Sequence, residues 1–285
     1  MRIGLKLDAG FDRDPRYRRL YGTDVPTRLH ELGVEAVEIP LGAESDHVDI
    51  VARARRCQAA GLLVSFHPYS EGSPANPASF AGPSSAPAQL HARLLGMAAA
   101  VAGDQGDTVV NIHPAAVHDH GAPRRALVDR SVEFFAWARD WCDANAPRVR
   151  PVAELQIAPD RGEPLVRIGD TPSELAEVVG RSGVGACWDV GHAVINHRRF
   201  GTRQDPPEAL LRQITHVHCH DVDETDHRPP RHGDAPWRDF LERLAATGYA
   251  STVIIEVVPP AFLEAGGLDA VTEAIAAVRA AGGTR

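Results

Sequence analysis

No apolar run in this chain approaches the ~18 residues a membrane helix requires, and the opening MRIGLKLDAG has no apolar segment of the signal-peptide kind. Both absences predict a cytoplasmic protein without a membrane anchor. Cysteine is scarce. Cys57, Cys142, Cys187 and Cys219 stand far apart and form no CxxC pair, which argues for buried free thiols rather than a disulfide framework or a Cys-rich zinc site. Basic residues gather only in short groups such as Arg53, Arg55 and Arg56, and the formal charge is −8. The chain therefore lacks the stripe of cations that neutralises phosphates, and nucleic acid is not an expected partner. No GxGxxG or GxxxxGK[ST] follows any apolar run, which removes the usual phosphate-binding turns.

What is present is alternation. The 285 residues are 44% hydrophobic and 24% charged, with 25 Gly and 22 Pro, the balance of a globular protein with many short connections. Short apolar runs bounded by turn residues predict eight strands: Ile3–Leu7, Ala36–Pro40, Leu62–His67, Thr108–His113, Val149–Gln156, Gly185–Asp189, Ile214–Cys219 and Thr252–Val257. Between them the apolar spacing is helical, as in Ala88–Ala102, Ala126–Ala144 and Leu268–Ala281. Thr171-Pro172-Ser173-Glu174 is a capped helix start, and Gly282-Gly283 a helix stop. Strands alternating with helices imply parallel pairing by right-handed crossovers. Eight such units predict an α/β fold, a closed (β/α)₈ TIM barrel forming one domain over residues 1–285; an open doubly wound sheet is the rival. The long irregular stretches Tyr69–Pro87, Asp119–Pro123 and Asp221–Pro236 each follow a strand, where a barrel places its functional loops.

Ionisable residues recur at the carboxyl ends of those strands. His67 (SFHPY), His113 (VNIHPA), Glu154 (VAELQ), Asp189 and His192 (CWDVGHA), His218 (HVHCHD) and Glu256 (VIIEVV) come from six successive strands, on the face where barrel enzymes carry their chemistry. One such residue would be unremarkable, since a buried His is more often a hydrogen-bonded core residue. Glu256 is harder to dismiss, because a carboxylate inside VIIEVV needs a partner or a cation. Imidazoles mixed with carboxylates suit a divalent metal ion, Mn²⁺ or Zn²⁺ first, with Mg²⁺, Co²⁺ and Fe²⁺ admitted. His216, His218 and His220 alternate along one strand; His216 is expected deeper in the barrel and His220 above the rim, as a loop or substrate contact. Trp188, Trp137 and Trp141 are read as core and barrel-to-helix packing. The charged residues of Asp221–Arg231 are read as a solvated loop, with Arg228 or Arg231 able to supply a substrate cation.

In CWDVGHA and HVHCHD, at this spacing and in this order, the chain resembles the xylose isomerase-like TIM-barrel superfamily, which contains sugar isomerases and epimerases and the AP endonuclease family 2 enzymes. The resemblance implies that Glu154, Asp189, His218 and Glu256 are the metal ligands, and that His192 contacts substrate oxygens or another ion. His67, His113 and His227 are similar to the additional histidines of the endonuclease branch. Three departures stand out. The Asp expected two residues before His227 is Thr225, and the epimerase Arg expected six residues after His218 is Glu224. His232 and Asp234 replace the usual Gly-x-Gly neighbours.

Two functions follow. The first is a metal-dependent isomerase or epimerase of a sugar or related polyhydroxy keto compound, in which Glu154 and Glu256 move a proton through an enediolate. The alternative is a multinuclear zinc phosphodiesterase like the endonuclease branch, and lyase chemistry stays open. A non-catalytic barrel is the remaining reading. The expected partner is a small-molecule substrate, with no membrane and with homo-oligomers admitted.

Overall fold

The computed structural model describes residues 1–42, 47–103, 105–119, 121, 123–231 and 233–283. Eight parallel strands close into a barrel: β1 (Arg2–Lys6), β2 (Ala36–Leu41), β3 (Leu63–Pro68), β4 (Thr108–Ile112), β5 (Val149–Glu154), β6 (Gly185–Asp189), β7 (Ile214–Cys219) and β8 (Thr252–Ile255). Each strand pairs with its neighbours in sequence, and β1 pairs with β8 to complete the ring. Helices alternate with the strands on the outside. All eight expected strands form; β6 and β7 match residue for residue, and the others shift at their ends.

The shifts have a physical reason. At the end of β5 the ladder does not stop at Glu154 but changes partner. The N–H of Leu155 donates to the carbonyl of Cys187 at 3.0 Å, whereas that of Gln156 turns away to Gly169 at 3.0 Å. Gln156 then spends its side-chain amide on the carbonyls of Pro114 and Ile168, so a strand-like sequence becomes a buried turn. An antiparallel pair, Ala116–Val117 with Val166–Arg167, lies nearby; two residues per strand leave no sequence periodicity to detect.

Expected caps are in place. Thr171 Oγ1 accepts from the N–H of Glu174, and the helix Pro172–Ser182 ends at Gly183 in a left-handed conformation. All four cysteines are buried and free. Trp188 is buried, with Phe240 beyond it at 6.1 Å between ring centroids. Trp137 and Trp141 are partly buried and pack against the hydrophobic core as expected, and with Phe80 and Pro83 they also line a surface groove. The barrel side of their helix is already filled by Phe134, Phe135 and Ala138.

Candidate metal centre

Register brings the four candidate ligands together. Asp189 on β6 is the direct partner of His218 on β7, and Glu154 on β5 partners Cys187 on β6. Glu256 stands one residue beyond β8, its N–H still donating to Cys219 at 3.1 Å. All four side chains are buried. One ligand atom from each of Glu154, Asp189, His218 and Glu256 lies within 4.8 Å of the others. From His218 Nδ1 the nearest carboxylate oxygens are Glu256 Oε2 at 2.8 Å, Glu154 Oε1 at 3.6 Å and Asp189 Oδ2 at 3.7 Å.

These four inward atoms share one property. Glu154 Oε1, Asp189 Oδ2, His218 Nδ1 and Glu256 Oε2 are buried and have no hydrogen-bond partner among the described residues. Their outward atoms are all held. Glu154 Oε2 accepts from the Asn111 side-chain amide. Asp189 Oδ1 caps the helix Val190–Phe200 through the N–H of His192 at 2.7 Å and accepts from His220 Nε2 at 3.1 Å. Glu256 Oε1 accepts from Lys6 Nζ at 2.6 Å. His218 Nε2 donates to Glu38 Oε1 at 2.7 Å. A buried acceptor left unpaired is costly, and four pointing at one place are costlier still. Three carboxylates and an imidazole lone pair form a donor set suited to a divalent cation, so the residues fit such an ion.

Other expected residues gather around this point. His67 Nε2 lies 3.2 Å from His113 Nε2, and each of these nitrogens is 3.4 Å from Glu154 Oε2. His192 is buried beside Asp189, and its Nδ1–H donates to the carbonyl of Leu155 at 2.9 Å. His227 stacks on His220 with ring centroids 4.4 Å apart. Its Nε2 lies 3.6 Å from Glu256 Oε2. One atom each from His192, His220 and His227 also falls within a common 4.8 Å.

Three expectations need correction. His220 does not stand above the rim; it is buried, bonded to Asp189, in the space that Gly191 leaves. A Cβ on residue 191 would fall 1.8 Å from His220 Cε1. Asp221 is not a solvated loop residue either. It is buried and accepts from the N–H groups of Arg231 and Ala235 at 3.0 and 2.8 Å, which ties the loop to the barrel. Arg228 is engaged away from the centre by Asp223 at 3.1 Å and Glu264 at 3.3 Å, whereas Arg231 is exposed. His232 lies outside the described residues.

Sequence reasoning missed several members. Glu38 in β2 is buried and accepts from both His216 and His218; AVEIP carries the same signal as VIIEVV, a carboxylate in an apolar run. Lys6 closes β1 and is the only lysine in the chain. Asn111 precedes the noted His113. Asp226 lies 3.2 Å from both His220 Nδ1 and His227 Nδ1, beside the Thr225 that breaks the expected pattern.

Charge explains the electrostatics. Burial alone would raise Glu154 and Glu256, but neighbouring histidines, and for Glu256 also Lys6, hold both well below the usual carboxylate range. Burial lowers His227, yet Asp226 and Glu256 outweigh it and bring its pKa to about 10. Four buried carboxylates, counting Glu38, face the Lys6 ammonium and a ring of histidines, of which His218 and His220 are, like His227, raised by these acidic neighbours.

The model of the xylose isomerase-like TIM-barrel family matches residues 26–280. The chain belongs to that family. No curated protein matches the sequence. Among solved structures, the D-psicose 3-epimerase of Clostridium cellulolyticum H10 is similar over 100% of both chains, at TM-score 0.69 and 17% identity. An L-ribulose 3-epimerase matches 99% of this chain and 94% of its own, at 0.66 and 20%. The 3-keto-D-glucoside 4-epimerase of E. coli matches 98% of this chain and 99% of its own, at 0.63 and 15%. At these identities the likeness is one of fold. No described helix is long and apolar enough to cross a membrane.

Proposed function

We propose that the chain is a divalent-metal-dependent epimerase or isomerase of a sugar or a related polyhydroxy keto compound. The observation that carries this reading is the set of four unpartnered inward atoms on Glu154, Asp189, His218 and Glu256, each with its outward atom secured. Glu154, Asp189, His218 and Glu256 would hold the ion, which when bound supplies Lewis-acid polarisation of a substrate carbonyl and acidifies the carbon-bound proton beside it. Glu154 and Glu256 are the pair that moves that proton, one removing it and the other returning it from the opposite side. Asn111 and Lys6 fix the outward oxygens of these two carboxylates, so the pair meets a substrate in a set orientation. Asp189 and His218 serve as holders, and His192 offers its Nε2 to a substrate oxygen. Arg231 is an exposed cation of the loop that follows β7. The barrel shared with the sugar 3-epimerases supports the same chemistry. Metal-loaded protein incubated with a panel of ketoses in deuterated water tests it: deuterium enters the carbon beside the carbonyl if the reading holds, and exchange with no ketose would contradict it.

A second reading has its own observation. His67 Nε2, His113 Nε2 and Glu154 Oε2 form a nearly equilateral triangle with edges of 3.2, 3.4 and 3.4 Å. The edge of a tetrahedron with metal–ligand bonds of about 2.0–2.1 Å is about 3.3–3.4 Å. That match favours a second ion sharing Glu154 and, with it, hydrolysis of a phosphoester by a two-ion centre. Elemental analysis separates the readings, because one tightly held ion per chain would rule out the two-ion centre.

A further inference from the structure

We propose that Tyr69 is a specificity-determining residue of this centre, the apolar wall against which a ketose lays the C–H groups of its carbon chain. This role deepens the epimerase or isomerase reading and rests on it. Tyr69 follows β3 directly. Its N–H donates to the carbonyl of Leu41 at 2.8 Å, which carries the ladder between β2 and β3 one step past Pro68. Side chains alternate along a strand, so Tyr69 shares the inward face of His67 and stands one pleat nearer the mouth.

The ring meets residues from three strands. It stacks on His67 with centroids 4.5 Å apart and planes at 26°, meets His113 edge-on at 6.0 Å, and lies 5.3 Å from Lys6 Nζ. These neighbours adjoin the two carboxylates that move the proton: Lys6 holds Glu256, and His67 and His113 lie beside Glu154. Tyr69 therefore borders both ends of the proposed transfer. Exposure sets it apart from its surroundings. Glu154, Asp189, His218, Glu256 and His67 are buried and Lys6 and His113 largely covered, whereas Tyr69 is 40% exposed. A ketose asks for two kinds of contact. Its oxygens suit the carboxylates, imidazoles and ammonium of the centre, but its C–H groups find no partner among them. The Tyr69 ring supplies that apolar surface, and the negative charge of an aromatic face attracts C–H groups. Such a contact is alike before and after the proton moves, so it acts on binding more than on the chemical step.

The chain has four tyrosines, and of these Tyr69 alone is exposed, which makes it observable by itself. Protein labelled with 3-fluorotyrosine and loaded with Zn²⁺ carries one ¹⁹F resonance per tyrosine, and the one missing from Tyr69→Phe belongs to Tyr69. D-Fructose and D-tagatose are titrated in, with calorimetry as the independent measure of binding. The Tyr69 resonance is expected to shift while those of the buried Tyr17 and Tyr21 stay in place. A ketose that binds by calorimetry without moving the Tyr69 signal would overturn the proposal, even if Tyr69→Ala does not fold. Steady-state kinetics form the second arm, with circular dichroism and thermal melting as folding controls. Tyr69→Ala is expected to raise KM about tenfold and to lower kcat by less than about twofold, the scale of one lost aromatic contact. Tyr69→Phe keeps the ring and is expected to recover most of that loss. An unchanged KM in folded Tyr69→Ala would overturn the role of Tyr69 and leave the epimerase or isomerase reading standing. Wild-type protein that neither binds nor exchanges any ketose would overturn that reading, and this role with it.

Discussion

Nζ of Lys6 lies 2.6 Å from Oε1 of Glu256, and Lys6 is the only lysine among the 30 basic residues of the chain. Everywhere else the chain uses arginine. A compact ammonium fits between Glu256 and the face of Tyr69, whose ring centroid is 5.3 Å away, where a planar guanidinium fork would not. Lys6→Met is expected to leave a buried carboxylate oxygen uncompensated and to lower stability by about 3 kcal/mol. Lys6→Arg keeps the charge but displaces Glu256, and at least a tenfold loss of kcat/KM is expected. Denaturant titration and steady-state kinetics check the two; a Lys6→Arg protein with full activity would contradict this assignment.

Because the three inward carboxylates repel one another and an ion would bind only where the fold brings them together, a bound ion stabilises the fold. An ion at about 1,000 times its Kd adds about 4 kcal/mol of unfolding free energy. Thermal melting with and without Mn²⁺ or Zn²⁺ should show that gain in the wild type. Asp189→Asn, which removes one inward charge, should lose it. A chelator that leaves the melting temperature unchanged while the ion is demonstrably removed would contradict the prediction.

Gly191 leaves the space that His220 fills. Gly191→Ala places a methyl group in the imidazole ring, and relief of such overpacking typically costs about 1–3 kcal/mol. The expected outcome is a lower melting temperature together with loss of activity, because His220 also steadies Asp189. Unchanged stability and activity would mean that His220 does not sit where it is described.

His91 predicts a pH dependence independent of the centre. It is buried against Phe134, and Nε2–H donates to the carbonyl of Ala75 at 3.0 Å. Burial pushes its pKa down from 6.5 to about 4, so the native state holds it neutral while the unfolded chain protonates. The stability it contributes is fully present above pH 6.5 and lost as pH falls to 4, by about 3 kcal/mol over that window. Urea midpoints at pH 7, 5.5 and 4.5 measure the slope. His91→Gln should flatten it, and an identical slope in the variant would remove His91 as its source.

The barrel was legible because each strand is a continuous apolar run between turn signals, and a parallel strand buried on both faces leaves that trace. The four inward residues were legible for a related reason: a carboxylate or imidazole at the end of such a run has no solvent to face. Glu38 was legible in principle by the same rule, but its partners, His216 and His218, lie more than 170 positions away, and hydrogen-bond pairing at that distance leaves no periodic trace. His220 was misplaced because strand alternation was extended one residue beyond Cys219, where β7 ends and the chain turns inward over Gly191.

The central claim is that four side chains surround one cation. Crystals grown with Mn²⁺, with data collected at the manganese absorption edge, test it most directly. The account predicts an anomalous difference peak within coordination distance of Glu154 Oε1, Asp189 Oδ2, His218 Nδ1 and Glu256 Oε2 together. Protein that holds Mn²⁺ elsewhere, with no peak among these four atoms, would contradict it.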